Sequence, residues 1–178
     1  AGLERLKELA QGLPATDFGD LQIEQFVVDA TEIAYIRTAS ATAPSAISEA
    51  MGKSYFEILN FIDEQGLEDA GAPLSIIRTY SGSELVFDAA IPVHNVVEST
   101  PREGPSVRLG FTYAGAVLRI KHVGSYRTLS ETHRKIASYL AAHGLARNGP
   151  AWESYVSDPG SVAEAELITD VYYPIKMD

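Results

Sequence analysis

Gln65-Gly-Leu-Glu-Asp-Ala-Gly71 and His143-Gly-Leu-Ala-Arg-Asn-Gly149 decide the fold. Gly66, Leu67 and Gly71 of the first stretch return as Gly144, Leu145 and Gly149 of the second, 78 positions later. The same displacement carries Ile58 onto Ile136, Phe61 onto Tyr139 and Ile62 onto Leu140. Upstream, Glu32-Ile-Ala-Tyr-Ile-Arg-Thr38 parallels Ala116-Val-Leu-Arg-Ile-Lys-His122, and downstream Ile91-Pro-Val93 parallels Tyr173-Pro-Ile175. Matches in the same order along the chain imply a duplicated unit. Two such units packed as one domain meet at a seam, and ligand pockets tend to form at such seams.

Each unit has one helix flanked by strands. In the first, Pro44 suits an opening helical position, and Ile47, Met51, Tyr55, Ile58, Leu59 and Ile62 fall on one helical stripe that Gly66 terminates. Strands are expected at about 23–29, 32–38, 74–80 and 84–91. In the second, Thr128 with Glu131 has the form of a capping box, and Leu129, His133, Ile136, Ala137 and Leu140 make the stripe, with Gly144 as the stop. Strands are expected at about 106–113, 115–123, 151–156 and 165–174. Residues 94–105 read as the connector. The expected class is α+β, a mostly antiparallel sheet with two long helices on one face. The expected division is repeat one at about 22–93 and repeat two at about 106–176. Residues 1–20 stand apart as a helical segment or linker: Leu3, Leu6, Leu9 and Ala10 have helical spacing before Gly12 and Pro14. Such a tail fits a preceding domain in a longer parent, or an ordinary N-terminal helix.

Composition narrows the function classes. The chain has 178 residues, 46% apolar and 21% charged, which suits a globular domain. Its net charge of −10 is the wrong sign for phosphate contacts, so nucleic acid is not an expected partner of this chain alone. No apolar run reaches the roughly 20 residues of a membrane span. With no cysteine, disulfide and thiolate chemistry are absent, in keeping with a cytoplasmic location. The four histidines show no HxxxH or HExxH spacing, so neither a metal nor another cofactor is expected. No glycine-rich phosphate loop and no GxSxG elbow occur.

The residue most able to carry chemistry is Glu153, in Trp152-Glu-Ser-Tyr155. Strand alternation puts Glu153 and Tyr155 on one face and Trp152 on the other. At the corresponding places the first repeat has Ser75 and Ile77, so the acid and the phenol break the symmetry in one half only. A carboxylate on a bulky strand is paired, hydrated or kept for a ligand; an exposed edge-strand acid is the plain alternative. Tyr113, Phe87, Tyr172 and Tyr155 fall on expected strands, and Tyr126 follows one. An aromatic lining beside one carboxylate suits a flat cation, although β-propensity alone also puts aromatics on strands. His122 is either a core histidine or a lining residue.

With Ile91-Pro-Val93, His122-Val-Gly-Ser-Tyr126, His143-Gly-Leu145, Gly149-Pro150, Trp152-Glu-Ser-Tyr155, Asp158-Pro159 and Thr169-Asp-Val-Tyr-Tyr-Pro-Ile175, the chain resembles the GyrI-like small-molecule-binding family over about residues 22–176. The resemblance implies tandem βαββ-type repeats with a ligand cleft at their junction and Glu153 as the pocket acid. The Trp-Glu pair is similar to a stand-alone branch that includes hydrolases opening strained cyclopropane rings with a Glu and a Tyr. The start, Gly2-Leu-Glu-Arg-Leu-Lys-Glu-Leu9, is similar to the last helix of SRPBCC domains, which precede GyrI-like domains in some bacterial proteins. Three readings follow. One is a binding module for flat hydrophobic cations, with Glu153, Tyr155, Trp152, Tyr113, Tyr126, Phe87, Tyr172 and His122 lining the site. Another is a hydrolase using Glu153 as general base with a Tyr hydroxyl, Tyr155 being the candidate. The third is a protein-inhibiting partner working through its surface.

Overall fold

The computed structural model describes residues 18–98, 100–102, 104 and 106–177. The expected helix at residues 3–10 lies outside them. The strands are β1 (Ile23–Val28), β2 (Glu32–Ala41), β3 (Glu68–Asp69), β4 (Leu74–Tyr80), β5 (Glu84–His94), β6 (Arg108–Phe111), β7 (Gly115–Val123), β8 (Trp152–Tyr155) and β9 (Ile168–Pro174). Helix α1 spans Pro44–Glu64 and α2 spans Leu129–His143. The pairings between strands are antiparallel, in the order β1-β7-β9-β8-β4-β5-β2-β6, with β3 on β5. The fold is α+β, as expected.

That order reads the same from either end once repeats are exchanged: β7, β9 and β8 correspond to β2, β5 and β4. The repeated Gly-Leu stretches explain themselves here. Gly66 (φ +64°) and Gly144 (φ +65°) both adopt the left-handed conformation that ends a helix without a Cβ clash. The next amide then reaches back to the last turn in each, Leu67 to Ile62 O and Leu145 to Leu140 O, both at 2.9 Å. Gly71 and Gly149 lie against Pro92 and Pro174, where a Cβ would sit 3.5 Å from the proline ring in both halves. The short β3 has its counterpart in the single bridge Arg147–Ile175.

The leading strand of each repeat is exchanged, which the sequence reading did not anticipate. β1 pairs with β7 of the second repeat, and β6 pairs with β2 of the first. Across the linker Asp29-Ala30-Thr31 the chain crosses from one half to the other. It meets the equivalent crossing at Thr112, whose amide donates to Thr31 O while Thr31 N donates to Thr112 Oγ1, both at 2.9 Å. In a flat sheet β1 and β2 would lie six strand spacings apart, about 29 Å. A three-residue linker spans at most about 14 Å, so the sheet must curl until its two edges approach. The helix-free face is the inside of that curl, since Val28 and Val117 from one edge share a core with Ile33 and Tyr35 from the other.

Both helices cover the opposite face. Ile58, Phe61 and Ile62 of α1 pack on β2 and β5, while Leu129, Ile136 and Leu140 of α2 pack on β7 and β9. Each buried isoleucine contributes about 1.5–3 kcal/mol from removal of apolar surface. The expected capping box at Thr128 does not form. A 3₁₀ turn, Tyr126–Thr128, precedes α2 and puts Thr128 in a helical conformation, so its hydroxyl donates instead to Ser125 O at 2.7 Å. No helix among the described residues is long and apolar enough to cross a membrane.

Candidate functional site

The two halves join through β4 and β8, and the register of that joint fixes the site. Leu74 pairs with Ser154, Ser75 with Glu153 and Ile76 with Trp152. Ser75 and Glu153 are also equivalent positions of the two repeats, 78 apart. A residue that faces its own equivalent lies on the pseudo-two-fold axis. Glu153 is thus at the centre of symmetry, on the face shared by both helices. An acid at both positions would set two carboxylates against each other. Serine in one half allows a single buried charge.

α1 and α2 each build a core with their own half, and the seam between them is closed by side chains. Glu153 is 8% exposed. Its Oε2 accepts the Tyr155 hydroxyl at 2.6 Å, and its Oε1 lies 2.7 Å from His133 Nε2 on α2. His133 Nδ1 is in turn 2.7 Å from the Tyr173 hydroxyl on β9. The Tyr126 ring meets Tyr155 edge-on at 5.4 Å and is itself 36% exposed, which places it at the surface of the seam. From α1, Met51 Sδ lies 3.8 Å from the Tyr155 hydroxyl, and Tyr55 donates to Leu74 O at 2.8 Å. Tyr55 and His133 are again equivalents at the displacement of 78. The axis is therefore flanked by a phenol from one helix and an imidazole from the other.

This setting holds the phenols protonated. Burial pushes Tyr155 well above its ordinary value, and the neighbouring Glu153 charge adds to it. Burial likewise raises Tyr55, with Glu153 adding, and raises Tyr173 to about 12. Burial, then Asp158 and Glu153, raise Tyr126. Each oxygen of the buried carboxylate has a hydrogen-bond partner, and the rings around it can stack or present π faces.

Of the residues expected to line the site, Glu153, Tyr155 and Tyr126 come together here. Trp152 and Tyr172 do not. They stack on each other on the helix-free face, centroids 4.8 Å apart and 6° from parallel, with Tyr113 tilted against Trp152 at 6.3 Å. Phe87 is wholly buried in the core under α1. His122 is buried beneath the start of α2, its Nδ1 2.8 Å from Thr132 Oγ1 and its Nε2 3.2 Å from Ser125 O. It borders a separate recess of about 380 Å³ lined also by Asp20, Lys121 and Glu131. That recess contains none of the groups around Glu153, and polar groups along it pair with one another, as in Lys135–Asp20 at 2.6 Å. The chemistry therefore points to the seam. His133, Tyr55, Tyr173 and Met51 are the seam residues that sequence reasoning left out. His133 and Tyr55 fall on the helical stripes, and their shared displacement marks them as equivalents of each other without showing which strand lies beneath them. Among the described residues no cluster of three or more His, Asp or Glu could hold a metal ion.

Comparison with known proteins agrees with this architecture. Residues 22–176 match the profile of the GyrI-like small molecule binding domain. No curated protein matches the chain. Among solved structures the chain is similar to EcmrR in its complex with DNA, with a TM-score of 0.75 at 13% identity over 98% of this chain. The chain spans 63% of that relative's length. It is similar to SAV2435 bound to tetraphenylphosphonium, with a TM-score of 0.63 at 10% identity over 87% of this chain and 94% of that one. It is also similar to a hydrolase from Listeria innocua, with a TM-score of 0.61 at 14% identity over 97% and 98% of the two chains. Identities this low show a common fold. The profile match covers nearly the whole sequence, so this chain belongs to the GyrI-like small molecule binding domain family.

Proposed function

We propose that the chain binds flat or bulky hydrophobic cations at the seam between its repeats, with Glu153 as counter-charge and Tyr155, Tyr126, Tyr55 and Met51 as the apolar and aromatic surround. The observation that carries this reading is a single buried carboxylate on the pseudo-two-fold axis, opposite a serine and ringed by phenols from both halves. Its hydrogen-bonding needs are met internally by Tyr155 and His133, so a ligand gains from its charge without having to supply an N–H donor. Tyr126, at the surface of the seam on a 3₁₀ turn, is the ring a ligand displaces or stacks upon. That SAV2435, of the same fold, holds tetraphenylphosphonium supports the ligand class. Titration with tetraphenylphosphonium or a planar cationic dye tests it. Glu153→Gln keeps the shape and removes the charge, and weakens binding about ten- to a hundredfold with an unchanged circular dichroism spectrum. Unchanged affinity overturns the counter-charge role.

A second reading is favoured by one contact, the 2.6 Å bond between Tyr155 and Glu153. It is the hydrolysis of a strained electrophile, with Glu153 as general base on water and the protonated Tyr155 phenol polarising the leaving or accepting oxygen, which in a cyclopropane opening is the oxygen that accepts the electron pair of the broken C–C bond. Tyr155→Phe keeps the ring for stacking, so it leaves cation affinity nearly unchanged and lowers turnover of a cyclopropane-type substrate about 10²-fold. Wild-type protein that binds cations and leaves such substrates intact eliminates this reading for them.

A further inference from the structure

Glu153 is not waiting with bare oxygens. Its Oε1 is held by an imidazole that can carry a positive charge of its own. With His133 neutral, Nε2–H donates to the carboxylate and Nδ1 accepts the Tyr173 O–H, so the site carries one negative charge. With His133 protonated, Nδ1–H donates to the Tyr173 oxygen and Nε2–H still donates to Glu153, so the site is neutral. The Tyr173 hydroxyl can accept or donate, and both states are therefore hydrogen-bonded at the observed 2.7 Å distances. The imidazole leans on the Tyr173 ring with centroids 5.7 Å apart, and the Arg147 guanidinium lies over the same ring at 5.1 Å.

The other groups around this pair are accounted for. β8 brings Glu153 and Tyr155, β9 brings Tyr173, α1 brings Tyr55 and the 3₁₀ turn brings Tyr126. Arg147 acts on Tyr173, and Asp158 acts on Tyr126 from the outside. On its own helix His133 has Leu129 and Ala137 one turn to either side. Glu153 is thus the one acid bonded to the imidazole, and His133 the one cationic group bonded to Glu153, among the described residues.

We propose that His133 is the specificity-determining residue of the seam: protonated, it is the internal counter-cation of Glu153, so a cationic ligand binds by expelling its proton while an uncharged aromatic ligand does not. This rests on the cation-binding reading above. Release of one proton per ligand strengthens cation binding with rising pH, by about tenfold per pH unit at most.

The test uses tetraphenylphosphonium, whose charge does not titrate, measured by isothermal calorimetry at pH 5, 6.5 and 8 and in two buffers of different ionisation enthalpy. The expected result is affinity at least tenfold higher at pH 8 than at pH 5, with protons released to the buffer at the lower pH. His133→Gln, whose amide can still donate to Oε1, is expected to bind with little dependence on pH and more tightly than wild type at pH 5. It also separates the imidazole from any proton taken up by a carboxylate. Wild-type binding that is equal at the three pH values with no proton released overturns the proposal, and so does a pH dependence that survives in His133→Gln. Absence of binding at every pH is a different result: it overturns the cation-binding reading itself and this inference with it.

Discussion

The first repeat puts Ser75, Tyr55 and Ile77 where the second puts Glu153, His133 and Tyr155, on corresponding strands and helices. The halves differ again on the helix-free face. Asp88 of the first is fully buried and takes two guanidinium groups, Arg37 Nε at 2.7 Å and Arg78 Nε at 2.8 Å. Its counterpart Asp170 faces Lys121 across the strand pair, has Val156 where the first half has Arg78, and keeps a buried Oδ1 with no hydrogen bond. The first half has thus put its ionic groups into holding β2, β4 and β5 together. The second half carries its buried carboxylate at the seam, beside His133 and the phenols. Duplication supplied a symmetric scaffold, and divergence placed an ion-pair cluster in one half and a buried carboxylate on the axis in the other.

If the scaffold is symmetric, equivalent core positions should fail equally. Ile58→Ala and Ile136→Ala remove the same methylenes from fully buried sites under α1 and α2. Each is expected to cost about 3–4 kcal/mol in denaturant unfolding, and the two should agree within about 1 kcal/mol. A large gap between them breaks the equivalence of the halves.

The phenols around the seam sharpen the contrast. Tyr173 is pushed up to about 12 by burial, and Tyr155 is raised well beyond its usual value for the same reason. A tyrosine in the unfolded chain ionises near pH 10, so above that pH the folded state holds more protons than the unfolded one. Stability should therefore be fully present below about pH 10 and fall as the pH rises toward 12. Tyr173→Phe should flatten that fall by about 2 kcal/mol at pH 12, read from unfolding midpoints along a pH series.

The two aspartates give the third comparison. Asp88→Asn leaves two guanidinium groups without their carboxylate and should cost about 2 kcal/mol, discounted because both arginines reach solvent. Asp170→Asn removes a charge with an unpaired buried oxygen, and stability should move by less than about 0.5 kcal/mol.

Much of this was legible in the sequence because duplication writes the same local chemistry twice. Gly66 and Gly144 announced two helix ends, and the Ile58/Ile136 stripe announced which side of each helix packs. Alternation along Trp152-Glu-Ser-Tyr155 separates Trp152 from Glu153, as the structure does, although the expected lining includes both. Pairing between distant strands was not legible. The exchange of β1 and β6 depends on contacts with residues 73 to 97 positions away, and no local pattern records them. His133 was hidden for a related reason: in a helical stripe an imidazole reads as a core neighbour until the strand beneath it is known. Tyr173 was passed over for Tyr172 because the two differ only in which face of β9 they occupy, and the register with β8 settles that.

In the proposed function the charge at the axis, rather than the particular half supplying it, recognises a cation. Moving the carboxylate across the axis tests it most directly, since Ser75 and Glu153 are paired neighbours and the move is about one strand spacing, roughly 5 Å. Binding of tetraphenylphosphonium should be measured for wild type, Glu153→Ser, and Glu153→Ser combined with Ser75→Glu, each shown to be folded by circular dichroism. The account predicts at least a tenfold loss in the single variant and recovery of most of it in the double variant. A single variant that binds as well as wild type, or a folded double variant that recovers nothing, contradicts it.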